Sequence, residues 1–441
     1  MPKRAHGFRI DESKCTGRSA CMRACPTQAI RVRRGKAQLI PELCIDCGSC
    51  LPVCPSGAIQ ATTQSFAEIN EYKYKVAVPS PVLFGQFPAG MTPAHIVAGL
   101  KALGFDGVWD GAIEFALVNR AIRDYVEGWG GPFPLVSITC PVIVRLIQVL
   151  YPGMVAQLVH LQPPRELAGR ELKRRYCAEL GIHPEEVAAI HITPCQAKTV
   201  AILEPAEGAD SYLDGALGIS DVYNAVITFG RLANPKGIET TLENPPRWAE
   251  VLRWATSQSQ GCVLRRHRYM SITGLPNVMQ VFDDVEKGKL RNIEYLECHA
   301  CWNGCVSGNL TVDNSYVTLS KIYRLLAELP ENDPELEAEV ERRYPHVDLS
   351  LKGELKPRAV EQGTMELKER VGRMRAEEAL LKALPGLDCG LCGSPGCRAF
   401  ARDVAQKRAA PDECVLFSND RLEQLRDLYL RDRPPRPGPK S

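Results

Sequence analysis

The chain has 441 residues, 45 % of them hydrophobic, with 54 Lys+Arg against 52 Asp+Glu. That length suits about two to four domains around at least one large core, and a near-zero net charge gives no electrostatic case for nucleic acid or an anionic membrane. No apolar run approaches the roughly 18 residues of a membrane span, and the start, MPKRAHGFRIDESKC, has no apolar leader core, so the expected address is cytoplasmic.

Thiols stay reduced in that compartment, so the 18 cysteines read as ligands rather than as a disulfide framework. They fall into three groups: a dense set from Cys15 to Cys54, a compact set from Cys389 to Cys414, and a scattered remainder. Residues 1–64 form the first module. The run Cys44 to Pro55, CIDCGSCLPVCP, has the C-x2-C-x2-C-x3-C-P spacing of bacterial two-cluster ferredoxins and is followed by the short apolar segment Ala58 to Ala61. Cys15 to Pro26, CTGRSACMRACP, repeats it with Arg18 in place of the second cysteine. In the crossed ligation of such modules, Cys25, Cys44, Cys47 and Cys50 complete one [4Fe–4S] cluster, whereas Cys15, Cys21 and Cys54 supply three thiolates for another. Three outcomes fit that second site: a three-iron cluster, a four-iron cluster with a non-cysteine ligand, or no cluster. Zinc fits poorly, because zinc sites rarely carry two interleaved runs closed by Cys-Pro.

From Tyr74 the pattern changes to alternating strands and helices, the signature of an α/β layer with parallel pairing. A buried strand is expected at Lys75 to Pro79, a helix at Pro93 to Leu103 stopped by Gly104, a short strand at Phe105 to Asp110, and a helix at Ile113 to Tyr125. In such sheets the loops after the strands carry the site. Three loops bear cysteine beside proline or glycine: LVSITCP (Leu135 to Pro141) before the helical run Val142 to Leu150, IHITPCQAK (Ile190 to Lys198), and ECHACWNGCVSGNLTVDN (Glu297 to Asn314). The last follows the apolar run Ile293 to Leu296 and precedes a strand-like Leu310 to Val312. Cys140, Cys195, Cys301 and Cys305 together offer four thiolates, enough for one [4Fe–4S] cluster.

These loops resemble, in order and separation, the three signature segments of the iron-only, or [FeFe], hydrogenase catalytic domain. The flanks agree as well: GFDGVWD at Gly104, Val144-Arg145-Leu146 followed by Tyr151-Pro152, and GNLTVDN at Gly308. The resemblance covers most of residues 74–330, within a central domain at 73–345. It implies that Cys140, Cys195, Cys301 and Cys305 hold the cubane of an H-cluster, with Cys305 bridging to a diiron subsite that carries carbon monoxide and cyanide. Lys198 matches the lysine that binds a cyanide ligand.

The departures bear on proton delivery. Thr139 stands where active hydrogenases carry a proton-transferring cysteine, and a hydroxyl gives up its proton far less readily than a thiol. Asn119 and Arg123 occupy helix positions where acidic groups would help, and Ala201 replaces a glutamate after the lysine. Trp302 and Asn303 replace Pro-Gly. His299 replaces a methionine and reads either as a proton donor at the cluster or as a packed polar residue. Cys298 reads either as a redox thiol or, in preference, as a small buried residue, and the same holds for Cys177 and Cys262, which have no motif around them.

A helical linker is expected over 346–380, and a small helical domain over 381–430. There DCGLCGSPGCRAF and Cys414 place Cys389, Cys392, Cys397 and Cys414 at C-x2-C-x4-C-x16-C spacing. It resembles the four-cysteine [4Fe–4S] domains of corrinoid iron–sulfur proteins and membrane electron-transport proteins. Residues 431–441, rich in proline and charge, read as a disordered tail. The expected architecture is therefore α/β: a ferredoxin-like iron–sulfur module, a central [FeFe]-hydrogenase-like domain and a small helical [4Fe–4S] domain. That order resembles the sensory hydrogenases, whose proton-transfer cysteine is also replaced. It implies H2 and protons as substrates and a ferredoxin-like electron carrier or a signalling protein as partner. The alternative is an electron-transfer protein without a diiron subsite.

Overall fold

A computed structural model describes residues 6–232, 248–261, 264, 268–330, 333–358 and 367–416. Cys262 and the tail at 431–441 lie outside them. The N-terminal part contains β1 (Phe8–Ile10), α1 (Ala20–Ala24), β2 (Ile30–Arg33), β3 (Lys36–Leu39) and β4 (Ile59–Ala61). The central part begins with α2 (Phe66–Ile69), β5 (Tyr74–Pro79), α3 (Pro93–Ala102), β6 (Gly107–Val108), α4 (Ala112–Glu127) and β7 (Leu135–Val136). It continues through α5 (Pro141–Leu150), α6 (Pro164–Leu180), β8 (Val187–Thr193), α7 (Gln196–Leu203), β9 (Gly215–Gly218) and α8 (Ile219–Leu232). Then come α9 (Trp248–Arg253), β10 (Tyr269–Thr273), α10 (Leu275–Glu286), β11 (Tyr295–His299), α11 (Ser315–Ala327) and α12 (Pro334–Arg343). The C-terminal part contains α13 (Leu367–Ala383) and α14 (Cys397–Ala405).

These elements form two compact units that do not follow chain order. The larger holds residues 60–358 together with 6–9 and 45–48; the smaller holds 10–44, 49–59 and the described C-terminal residues.

The larger unit is built on two parallel sheets, ordered β6-β5-β8-β9 and β10-β11-β7. All seven residues of β8 are buried, as expected of a central parallel strand with both faces covered. One face of its sheet packs on Ile96, Leu100, Val222 and Val226 from α3 and α8; the other packs on Ala168 and Leu172 from α6. Gly99 permits the α3–α8 contact, since a Cβ there would come 2.7 Å from the Val226 carbonyl oxygen. A separate core gathers Leu117, Ala121 and Ile122 of α4 around Leu135 and Tyr295. The two sheets bring the C-terminal ends of β5, β7, β8 and β11 to the loops that bear the candidate ligands.

The strands and helices expected from Lys75 to Leu150 form, with β6 reduced to two residues. One expectation fails: Leu310 to Val312 is not a strand. The Leu310 amide instead donates to the Pro194 carbonyl at 2.9 Å, and the Leu310 carbonyl accepts from the Ser220 amide at 2.9 Å. The segment is spent tying loops together rather than extending a sheet.

In the smaller unit, β2 and β3 form an antiparallel hairpin from Ile30↔Leu39 to Arg33↔Lys36. Its two turn residues, Arg34 and Gly35, both have positive φ, at 50° and 73°, matching the twist of a two-residue hairpin turn. α13 and α14 enclose Leu380, Leu384, Phe400, Ala401 and Val404.

Candidate metal centre

Cys140 follows β7 and caps α5, whose first residue is Pro141; Cys195 follows β8 and caps α7. Proline at the first helical position removes an amide that has no helical acceptor anyway. Both thiols thus sit at helix N-termini, where the helix dipole favours an anion. Cys301 and Cys305 lie on a tight turn after β11, with Asn303 at φ 61° and Gly304 at φ 78°. Asparagine is among the side chains that best tolerate this left-handed conformation, so Asn303 preserves the turn, and its amide donates to the Ser315 hydroxyl at 3.3 Å. Trp302 points outward, 57 % exposed. Gly308 lets the third loop meet the second, because a Cβ there would come 2.2 Å from the Pro194 oxygen.

The four thiols line one small cavity, which Cys47 of the ferredoxin-type run also lines. Burial, and then the neighbouring Cys305 and Cys195 thiolates, push the Cys140 thiol up to about 11; burial and Cys195 do the same in direction for Cys301. Burial and the neighbouring thiolates make Cys140, Cys195 and Cys301 harder to ionise, which suits a compact, highly cationic centre. The residues therefore fit a cubane.

A larger cavity, with about 70 Å³ of water-accessible space, adjoins it and shares Cys140, Lys198, His299 and Cys305. Lys198 Nζ donates to Cys305 Sγ at 3.6 Å. Burial works against its charge, but the thiolates, Cys305 foremost, hold the Lys198 pKa above the ordinary value. Burial also opposes ionisation of Cys305, yet Lys198 and His299 bring that thiol down. Arg165 brings a second cation to the wall; its Nε is buried without a hydrogen-bond partner and stands 3.6 Å from Glu166. Ser80 and His191 line the same wall with Oγ and Nε2 unpartnered. Burial, together with the Lys198 charge, drives His191 well below the usual histidine range, so it faces the cavity neutral. A cavity offering two cations and unpartnered polar atoms fits a small anionic group.

Thr139 and His299 both reach this cavity. Thr139 Oγ1 lies 3.0 Å from Ser137 Oγ, which accepts from Gln260 Nε2 at 3.3 Å. The Gln260 Oε1 in turn accepts from the Tyr295 hydroxyl at 2.6 Å, so the path leads to a phenol rather than a carboxylic acid. His299 Nε2 lies 3.0 Å from Glu297 Oε1, while Nδ1 is buried without a partner and the Cys305 thiolate flanks the ring. Although burial opposes its charge, Cys305 and Glu297 raise the His299 pKa to about 10. Glu297 also accepts from Ser259 at 2.9 Å and from Tyr269 at 2.8 Å. Sequence reasoning missed Glu297 as a partner, although residues 297 and 299 share one face of a strand. It also missed Ser80, whose place directly after β5 was the available signal, and Arg165, which had none.

In the smaller unit, Cys21 is raised by burial and by the nearby Cys15 and Cys54, so the three thiols expected to share the incomplete site lie near one another. Arg18, at the missing position, is exposed. Cys389, Cys392, Cys397 and Cys414 line a single small cavity beside Phe400. Cys298 is fully buried and Cys177 partly so.

Comparison with known proteins gives three family matches. Residues 8–55 match a 4Fe-4S dicluster domain, residues 73–235 the C-terminal domain of the iron-only hydrogenase large subunit, and residues 384–416 an Fe-S cluster family. The periplasmic [Fe] hydrogenase large subunit of Nitratidesulfovibrio vulgaris is 25 % identical over 368 residues, spanning 70 % of this chain and 86 % of the relative. A cytosolic Fe-S cluster assembly factor of Sclerotinia sclerotiorum is 25 % identical over 167 residues, spanning 34 % of this chain and 29 % of its own length. A solved [FeFe]-hydrogenase variant from Chlamydomonas reinhardtii aligns at TM-score 0.47 with 16 % identity, spanning 68 % of this chain and 97 % of that one. These matches, with the signature loops assembled on parallel sheets, make residues 73–235 similar to the iron-only hydrogenase large subunit and support a divergent [FeFe]-hydrogenase-like family of iron–sulfur proteins.

Proposed function

We propose that the chain is a hydrogenase-type redox protein, 2H⁺ + 2e⁻ ⇌ H2, slow in turnover and used to sense hydrogen. In this reading Cys140, Cys195, Cys301 and Cys305 would hold a cubane, and the adjoining cavity, which Cys305 also lines, would take a diiron unit. The observation that carries it is Lys198, whose ammonium reaches both the Cys305 sulfur and the cavity. The diiron unit, when bound, would supply the metal site at which H2 is formed or split. Lys198 and Arg165 would hold its anionic ligands, and Phe115 and Trp254 would restrict water at the cavity wall. His299, oriented by Glu297, stands where a proton or hydrogen bond is needed. Thr139 offers only a hydroxyl in place of a thiol, which accounts for slow turnover and favours sensing.

Electrons would pass through the iron–sulfur modules to a ferredoxin-like carrier or to a signalling protein. Among the described residues no helix is long and apolar enough to cross a membrane, and the proposed location is the cytoplasm. The test is infrared spectroscopy of the matured protein. Carbon monoxide and cyanide bands are expected; their absence after reconstitution overturns the reading.

Two observations favour a second reading. Trp302 and Asn303 alter the third loop, and part of the chain is similar to a cluster-assembly factor. An electron-transfer protein without a diiron unit would show iron and redox titrations that account for plain cubanes alone, and no H2 uptake.

A further inference from the structure

Within the smaller unit, the C-terminal cysteine module is seated on the N-terminal hairpin. Arg31 on β2 pairs with Asp403 on α14 at two points, Nε with Oδ2 and Nη2 with Oδ1, the latter at 3.0 Å. Both residues are buried, 5 % and 1 % exposed. Arg33, two residues on and therefore on the same face of the strand, donates to Asp403 at 3.1 Å, to the Ser394 hydroxyl at 2.9 Å and to the Cys392 carbonyl. Between them the Val32 amide donates to the Gly393 carbonyl at 2.9 Å. Gly393 has φ +75°, and a Cβ there would come 1.7 Å from the Val32 oxygen. Only glycine allows this approach.

These contacts fall on the cysteine loops themselves. Cys392 and Gly393 belong to the loop that begins at Cys389, and Gly390 of that loop lies where a Cβ would be 3.1 Å from the Met22 methyl. Met22 follows Cys21 on α1 and is 1 % exposed. The loop carrying two ligands of the C-terminal module thus packs against the helix carrying one ligand of the three-cysteine site. A module joined by a free tether would need no buried bidentate arginine pair and no backbone contact closed to any side chain.

We propose that the C-terminal four-cysteine cluster is a fixed relay that exchanges single electrons with an iron–sulfur cluster on Cys15, Cys21 and Cys54. Clusters held by Cys389, Cys392, Cys397 and Cys414 and by Cys15, Cys21 and Cys54 would exchange one electron at a time, one being oxidised as the other is reduced, with no bond broken and no proton moved. Tunnelling falls off steeply with distance, so pinning two cysteine loops together fixes a fast path. The proposal stands whether or not a diiron unit is bound elsewhere in the chain.

The test is electron paramagnetic resonance of the anaerobic, full-length protein with its iron counted, poised where both clusters are paramagnetic. The expected wild-type spectrum shows the C-terminal signal broadened and fast-relaxing through its neighbour. Arg31→Met/Arg33→Met on the hairpin side, and Gly393→Ala on the module side, should each narrow it to an isolated signal, whereas Arg31→Lys should retain most of the coupling. An isolated signal in the iron-replete wild type, an empty three-cysteine site, or coupling untouched by both disruptive variants overturns the proposal. The wild-type spectrum decides even where a variant loses iron.

Discussion

Lys198 Nζ lies 3.6 Å from the Cys305 sulfur, and both groups open onto the same cavity. At that separation an opposite-charge contact in a partly desolvated setting is worth about 4 kcal/mol, enough to decide whether an anionic unit is retained. Lys198→Met should leave the central cubane in place and lower diiron occupancy at least tenfold. Iron analysis and the infrared bands read the two centres separately. A variant with undiminished bands would show that Lys198 is not the anion's partner.

The candidate ligand sets were legible because cluster chemistry demands cysteines at fixed spacings, and the spacing survives in the chain whatever surrounds it. The strands before Cys140 and Cys195 were legible for a similar reason: a doubly buried parallel strand is a short apolar run. Long-range partners carry no such mark. Nothing local pairs Arg31 with Asp403, 372 residues away, or Arg145 with Asp46, 99 residues away. Cys47 was read as a ferredoxin-type ligand, and only the fold shows it also lining the central cavity. Leu310 to Val312 has the composition of a strand, but the Leu310 backbone bonds to Pro194 and Ser220 instead of to a sheet.

Arg145 and Asp46 form a buried pair, Nη1 to Oδ2 at 2.7 Å, with side chains 1 % and 0 % exposed. The other Asp46 oxygen takes the His6 ring at 3.1 Å and the Gly7 amide at 3.1 Å. Arg145→Met would strand the carboxylate and cost about 3–5 kcal/mol, a fall in Tm on the order of 10 °C. Scanning calorimetry of the wild type, Arg145→Met and the double variant Arg145→Met/Asp46→Leu checks this. The double variant should recover much of the loss, since replacing both charges removes the unpaired one.

Glu114, enclosed at the start of α4, is pushed up to about 7 by burial and then by the Asp110 charge, opposed by a backbone hydrogen bond and by a 3.3 Å hydrogen bond from the Trp109 indole. Its ordinary value is 4.5, so the folded state holds this proton more tightly than the unfolded state does. The resulting stabilisation is complete below about 4.5 and is lost as pH rises through about 7. Glu114→Gln keeps the shape and removes the titration. Tm measured across that window should decline in the wild type and flatten in the variant; equal slopes would mean the carboxyl titrates normally.

Thr139 is the most direct test of why turnover should be slow. Its hydroxyl lines the cavity beside Cys140 and lies 3.0 Å from Ser137, whose own neighbour is the Gln260 amide. No group on that path titrates near neutral pH. Thr139→Cys places a thiol with an ordinary pKa of about 8.5 at the same wall, and a positioned acid or base is worth roughly 10²-fold or more. H2 turnover in protein with a matched infrared signature should therefore rise on the order of 10²-fold, while Thr139→Ser, which keeps the hydroxyl, should stay at the wild-type rate. If both variants leave the rate unchanged at full cofactor content, proton delivery at this wall does not limit the reaction, and the bottleneck lies on the His299–Glu297 side of the cavity.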